Sequence, residues 1–206
     1  MAIKKLVASG IVAAILWFLM FSPWTGPHIN FWYAMSFSAL ILTTLAILFS
    51  EVSPIAGDWN WKEILLGIGI AILLWGVFWV GDKLSSMMFN FARPQVDLIY
   101  DMKSGTSPLL IAILLLFLIG PAEEIFWRGY VQQTLSRCIS ANWAYILTTI
   151  VYAIVHIPSL NFMLIMAALV CGIIWGGLYR LFPKHLPAII ISHALWDAAT
   201  FVVFPF

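Results

Sequence analysis

Long uninterrupted runs of apolar residues dominate the chain. A transmembrane helix needs roughly 20 such residues to cross about 30 Å of hydrocarbon. The runs that meet this requirement fall near residues 3–21, 29–49, 61–80, 107–135, 143–157, 162–181 and 186–203. They lack the alternation that marks the strands of a membrane barrel, and a helix satisfies its own backbone in lipid. The pattern therefore predicts an all-α bundle of about seven transmembrane helices.

Composition supports an integral, multi-pass membrane protein. Of 206 residues, 63% are apolar and only 9% are charged, whereas soluble domains are roughly one quarter charged. Membrane lipid is thus an expected partner. The net charge of +1 and the lack of a basic tract exclude a nucleic-acid footprint. Cys138 and Cys171 form no Cys-x-x-Cys pattern and are expected to be packing residues.

The basic residues in loops or at the ends of the spans predict an orientation. With the N-terminus in the cytoplasm, the cytoplasmic side holds Lys4, Lys5, Lys62, Arg137, Arg180 and Lys184, and the other side holds Lys83, Arg93 and Lys103. This distribution agrees with the positive-inside rule. Residues 83–105 carry most of the extramembrane polarity and are expected to form an interfacial or solvent loop. Because no repeat or linker is visible, we expect one integral membrane domain over residues 1–206.

Six ionisable residues fall inside the later apolar runs. They are Glu123, Glu124, Arg128, His156, His193 and Asp197. A charge at the bilayer centre costs several kcal/mol unless it is paired or hydrated, so such residues normally face a protein interior or an aqueous cavity. We therefore expect a shared polar cavity among the later helices.

The segment Gly-Pro-Ala-Glu-Glu-Ile-Phe-Trp-Arg-Gly contains two carboxylates with different surroundings. Glu124 and Arg128 are four residues apart, so they share a helix face and are expected to form a structural pair. Glu123 is turned about 100° away and needs another explanation. Pro121 lacks an N–H, so we expect a disturbed helix at Gly120-Pro121 beside Glu123.

The same spacing recurs in two later spans. Tyr152 and His156 share one face of the fifth span, and His193 and Asp197 share one face of the last. An aspartate in that position can fix the tautomer of a histidine. Taken singly, a histidine in a membrane helix is more often a residue that bonds one helix to another than a catalyst.

The three motifs together closely resemble the CPBP family of intramembrane proteases, also called the CAAX-protease or Abi family. Two glutamates followed by arginine match Glu123, Glu124 and Arg128. An aromatic residue and a histidine match Tyr152 and His156, with tyrosine in place of the usual phenylalanine. The third motif matches His193 and Asp197. The similar region implies a catalytic core over about residues 107–204, with accessory helices over about residues 3–82.

The resemblance implies peptide-bond hydrolysis in the membrane. Glu123 and His156 would hold and activate a water, and His193 with Asp197 would stabilise the oxyanion. Glu124 and Arg128 would brace the site, with Tyr152 in support. Ionised Asp197 cannot donate to an oxyanion, unlike the amide of some family members, so we favour orientation of His193 as its role.

A zinc site is the first alternative, because two histidines and two glutamates could also bind metal. No His-Glu-x-x-His helix is present. The resemblance favours a metal-free protease without a cofactor, with zinc left open. His156 comes late in its span and His193 early, so the two histidines are expected at different depths unless the helices are tilted or offset.

Two other functions compete with proteolysis. The family is associated with bacteriocin self-immunity and with scaffolding, in which the bundle would bind a protein partner without cutting it. A small transporter or proton relay would also bury such residues, but the chain shows one obvious helix break rather than a pair. The resemblance implies a membrane-associated or prenylated-type peptide substrate, and the short chain is most similar to members from the bacterial plasma membrane.

Overall fold

The computed structural model describes residues 2–206, and within that range the chain is helical with no β-strand. Seven helices are long and apolar enough to span a membrane, and a shorter one lies between the third and fourth of them. In chain order the helices are α1 (Ala2–Phe21), α2 (Phe31–Phe49), α3 (Trp61–Met88), α4 (Ala92–Asp101), α5 (Pro108–Cys138), α6 (Ala141–Ile154), α7 (Phe162–Leu181) and α8 (Leu186–Ala198). The predicted all-α membrane bundle is confirmed.

Polar side chains mark the beginnings of four spanning helices. An Asn or Ser oxygen at each position accepts a hydrogen bond from a backbone N–H in the first turn, which has no partner inside the helix. The capping residues are Asn30 in front of α2, Asn60 in front of α3, Ser140 in front of α6 and Asn161 in front of α7. Short polar segments thus set where the apolar runs become helical.

The expected loop over residues 83–105 is wrong for much of its length. Helix α3 continues to Met88, and residues 92–101 form the amphipathic helix α4. Pro94 does not break α4 because it lies in the first turn, where a backbone N–H has no helical acceptor to lose. The longer α3 also brings Asp82 into a helix, where only 7% of the residue is exposed.

Helix α5 stays continuous through Gly120-Pro121, but its backbone widens. Residues 115–119 and 125–132 adopt wide π-helical turns, and the N–H of Gly120 bonds to the carbonyl of Leu115, five residues earlier. Such turns are frequent at functional sites. The predicted disturbance therefore takes the form of two widened stretches on either side of Pro121 and Glu123.

Consecutive spans run in opposite directions, which gives the bundle two ends. One end, called the α4 end below, collects residues 22–30, α4, residues 155–161 and residues 204–206. Asn161 and Met163 are bound there by the backbone and side-chain oxygens of Gln95 in α4, at 2.8 and 3.0 Å.

Helix α8 is the most deeply buried span. It packs closely on α5 at Gly120, where a Cβ atom would lie 2.7 Å from the Cα of Ala194. Real Cβ atoms do not approach a backbone this closely, so only glycine fits at this crossing. The contact lies one turn from Glu123 and directly beside His193, and it sets the distance between the two helices that carry them.

We expect Gly120→Ala to destabilise the protein by about 1–3 kcal/mol, the usual cost of overpacking a tight interior contact. Gly76→Ala is the matched control, because a Cβ at that helical position meets nothing within 4 Å. The measurement is thermal unfolding of both variants in detergent. Equal unfolding midpoints for the two variants would show that the α5–α8 contact is not tight.

Candidate active site

A cavity of about 440 Å³ is lined by residues from all eight helices. Most of its lining is apolar, and five of the seven residues singled out from the sequence reach it: Glu123, Tyr152, His156, His193 and Asp197. Glu124 and Arg128 do not line it, and both are essentially without exposure behind its wall. The two histidines, expected at different depths, line the same cavity because His156 lies in the turn beyond α6 rather than inside it.

Glu124 is the centre of a buried ion network. Its Oε1 accepts a hydrogen bond from Nη1 of Arg128 at 2.7 Å, and Nδ1 of His193 lies 2.7 Å from the same oxygen. The Arg128 guanidinium also faces the ring of Tyr152, with Cζ 4.8 Å from the ring centroid. The predicted Glu124–Arg128 pair is thus present, and it has a third member on α8 that helical spacing could not indicate.

Glu123 has a different environment although it is the neighbouring residue. The hydroxyl of Tyr152 donates to Oε2 of Glu123 at 2.8 Å, and among residues 2–206 no cation forms a salt bridge with this carboxylate. The Oε1 atom accepts no hydrogen bond from the described part of the protein. The turn of about 100° between adjacent helical residues explains this division: one carboxylate points into the wall and the other into the cavity.

His193 is fixed on three sides. Its ring stacks on Trp175 with the centroids 3.9 Å apart and the planes at 21°. Nδ1 faces Glu124, while Nε2 lies 3.4 Å from Oδ2 of Asp197. The contact with Glu124 is the shorter one, so the strongest orienting partner of His193 is Glu124 rather than Asp197, the partner that sequence spacing indicates.

A proton is needed between His193 and Asp197. With Nδ1 donating to Glu124, a neutral imidazole would present a lone pair on Nε2 to a carboxylate oxygen, and two acceptors repel each other. Their approach to 3.4 Å is attractive only when either Nε2 or Oδ2 carries a hydrogen. This pair therefore holds a proton at the edge of the cavity.

Both nitrogens of His156 are engaged. The indole N–H of Trp17, on α1, lies 3.1 Å from Nε2, and the backbone carbonyl of Tyr152 lies 2.8 Å from Nδ1. An indole can only donate and a carbonyl can only accept, so Nδ1 carries the proton and Nε2 is the acceptor. In this conformation His156 has no free nitrogen for a water, unlike the expectation that it shares one with Glu123.

The sequence patterns do not indicate three residues that lie near the site. Trp17 and Trp175 are two of eleven tryptophans, and nothing in their local sequence separates them from lipid-facing ones. Asp82, which lines the cavity, was placed beyond the end of the third span. The apolar run ends at the polar residues Gly-Asp-Lys, but a helix can continue beyond the hydrocarbon layer, so the end of the run does not mark the end of α3.

Metal ligation was left open by the sequence. Within residues 2–206, no three His, Cys, Asp or Glu side chains are grouped so that they could hold a metal ion. Glu123 and His156 instead make the hydrogen bonds to Tyr152 and Trp17 described above.

Comparison with family models gives a match over residues 105–199, which contain all three polar motifs. The matching family is described as Rce1-like, type II CAAX prenyl endopeptidase Rce1-like. Neither the curated proteins nor the solved structures provide a match to this chain. The family is a protease family and agrees with the CPBP resemblance. Residues 105–199 of this integral membrane protein are therefore similar to the Rce1-like CAAX prenyl endopeptidase family.

Proposed function

We propose that the chain is an intramembrane endopeptidase that uses Glu123 to activate a water against a peptide bond. The observation that carries this proposal is the contrast between two adjacent carboxylates. Glu124 is bound by Arg128 and His193, whereas Glu123 faces the cavity with one oxygen held by Tyr152 and the other free of protein donors. A general base needs an unpaired carboxylate within reach of its substrate.

The proposed reaction begins with transfer of a proton from water to the free oxygen of Glu123. The resulting hydroxide attacks the carbonyl carbon of the scissile peptide, and the carbonyl oxygen becomes the oxyanion of a tetrahedral intermediate. The proton then passes from Glu123 to the leaving nitrogen as the C–N bond breaks, which yields a new carboxyl end and a new amino end. Tyr152 holds Glu123 in place through its 2.8 Å hydrogen bond.

His193 and Asp197 are the proposed oxyanion partners. The pair lines the cavity and shares a proton, which can be donated to a developing negative charge. Glu124 and Trp175 fix the plane of the His193 ring, so the donor is oriented before substrate arrives. Arg128 neutralises Glu124, which lowers the free-energy cost of holding this carboxylate inside the membrane.

The apolar walls of the cavity suit a membrane-associated peptide or a prenylated-type peptide. The charge distribution supports a cytoplasmic N-terminus, because six basic residues in loops or near helix ends lie at the N-terminal end of the bundle and three at the α4 end. A bacterial plasma membrane with this orientation would place the α4 end on the side away from the cytoplasm.

One observation favours a second candidate, a non-catalytic membrane protein acting in bacteriocin self-immunity or as a scaffold for a protein partner. His156, expected to hold the attacking water, is occupied by Trp17 and by the carbonyl of Tyr152. Proteolysis assisted by His156 therefore requires Trp17 to move away from Nε2. A protein that only binds a partner has no such requirement.

Hydrolysis predicts new peptide ends that depend on Glu123. Host membranes containing the wild-type protein are compared with membranes containing Glu123→Gln at matched expression, by sequencing the newly formed peptide ends. We expect a set of specific ends with the wild type and at least a hundredfold fewer with Glu123→Gln, since a positioned acid–base group contributes roughly 10²–10⁴ in rate.

Glu51→Gln is the control, because that carboxylate is exposed, pairs with Arg137 and does not line the cavity. Indistinguishable sets of ends from folded wild-type and Glu123→Gln proteins would move the non-catalytic candidate to the front. We propose a metal-free mechanism, so the same ends should form after treatment with a zinc chelator. Loss of the peptide ends in chelator, and their return with added zinc, would contradict the metal-free mechanism.

Trp17→Phe tests whether Trp17 holds His156 in a closed arrangement. The substitution keeps an aromatic ring but removes the indole N–H, which frees Nε2 for water. We expect the Glu123-dependent ends to form up to roughly fivefold faster, the factor that corresponds to one neutral hydrogen bond. Trp24→Phe is the control, since Trp24 follows the same helix and is 69% exposed. A slower rate with Trp17→Phe would mean that Trp17 instead holds His156 in its working position.

A further inference from the structure

Residues 204–206 follow the last span and lie outside any helix. Three side chains bind their backbone. The indole N–H of Trp75 donates to the carbonyl of Phe204 at 3.0 Å, and Nη1 of Arg93 donates to the carbonyl of Phe206 at 3.1 Å. The N–H of Phe206 donates to the hydroxyl oxygen of Tyr100 at 3.1 Å. All three bonds involve residues 204 or 206, and none involves Pro205.

Phe204 itself ends the preceding helical turn, with φ −134° and ψ 65°, but the binding of alternate residues is also the way in which the backbone of an extended peptide is recognised. In an extended chain, side chains alternate between two faces and the backbone groups of alternate residues point to the same side. A row of side-chain donors and acceptors can therefore bind the backbone of residues i and i+2 without a hydrogen bond to residue i+1. Pro205, which has no N–H, fits position i+1.

The bound segment reaches the cavity of the proposed active site. Phe206 lines the same cavity as Glu123. Its ring lies against Trp75 and Phe78, with centroid distances of 5.7 and 6.3 Å. Phe206 and its partner Tyr100 therefore face the same space as the carboxylate of Glu123, while Trp75 and Arg93 bind the segment from outside the cavity lining.

Arg93 is held firmly enough to act as a fixed donor. It bonds Asp97 at 2.6 Å and lies 3.6 Å from the buried carboxylate of Asp82. The hydrogen bond to Asp97 is the main reason that the pKa of Arg93 is raised above its ordinary value. Burial likewise raises the pKa of Tyr100, so its hydroxyl stays protonated. Both groups keep the hydrogen-bonding form that a peptide backbone requires.

We propose that Trp75, Arg93 and Tyr100 form a peptide-backbone subsite at the α4 end of the cavity, occupied here by the chain's own residues 204–206. The subsite takes an extended peptide with an apolar or aromatic residue between Trp75 and Phe78, and with no requirement for an N–H at the preceding residue. A peptide entering the cavity from this end displaces residues 204–206. As a description of substrate binding, the inference rests on the proposed peptidase function.

The experiment measures binding of a defined probe to the full chain in detergent. The probe is the peptide Val-Val-Phe-Pro-Phe with a fluorophore at its N-terminus and an amide at its C-terminus, and binding is followed by fluorescence anisotropy. All proteins carry Glu123→Gln, so cleavage does not interfere. We expect Phe206→Ala to tighten binding at least threefold, because the competing segment loses its aromatic anchor.

Removal of single subsite groups should reverse that gain. Trp75→Phe deletes the indole N–H and Tyr100→Phe deletes the hydroxyl, and each should weaken probe binding roughly fivefold in the Phe206→Ala protein. The matched controls are Trp79→Phe, on the same helix and 46% exposed, and Tyr33→Phe, 71% exposed. Neither control side chain forms a hydrogen bond with residues 204–206, unlike Trp75 and Tyr100.

Two results would overturn the subsite. One is unchanged probe affinity on Phe206→Ala; the other is an effect of Trp75→Phe and Tyr100→Phe no larger than that of their controls. Either result, together with Glu123-dependent peptide ends in membranes, would remove the subsite and leave the peptidase proposal intact. Binding with the expected pattern but without such ends would support the subsite and count against hydrolysis.

Discussion

The buried pair of Glu124 and Arg128 is the constraint on which the site depends. A charge in the membrane interior must be neutralised by a partner, and here the partners come from two helices: Arg128 from α5 and His193 from α8. Removing one partner would leave an uncompensated buried charge, at a cost of about 3–5 kcal/mol. The network therefore holds α5 and α8 in register, and the tight crossing at Gly120 keeps them close.

Within residues 2–206, the ion network around Glu124 leaves the neighbouring carboxylate, Glu123, without a salt bridge. Because Arg128 and His193 both bind Glu124, Glu123 is left with the hydroxyl of Tyr152 as its partner, on the cavity side of the same helix. Two other elements limit access to that carboxylate. Trp17 of α1 binds Nε2 of His156, and Phe206 lines the cavity at its α4 end. Glu123 thus faces the cavity, with Trp17 on Nε2 of His156 and Phe206 at the α4 end.

Local sequence predicts the parts of this structure that depend on local chemistry. Continuous apolar runs predicted the seven spans, and the four-residue spacing predicted that Glu124 would meet Arg128. The interactions of Trp17 with His156 and of Trp75 with Phe204 join residues more than 120 positions apart. They depend on how helices pack, for which spacing gives no signal. Helix α4 was missed because Arg93-Pro94 indicates a loop, although proline is well tolerated in a first helical turn.

The adjacent carboxylates have different proposed roles, one in stability and one in chemistry, and thermal unfolding of Glu123→Gln and Glu124→Gln in detergent separates the two. Both substitutions remove one charge and keep the shape of the side chain. We predict a large drop in the unfolding midpoint for Glu124→Gln, and little change or a rise for Glu123→Gln, whose amide oxygen still accepts from Tyr152. An equal drop for both variants would contradict this division of roles, because Glu123 would then contribute as much to stability as Glu124.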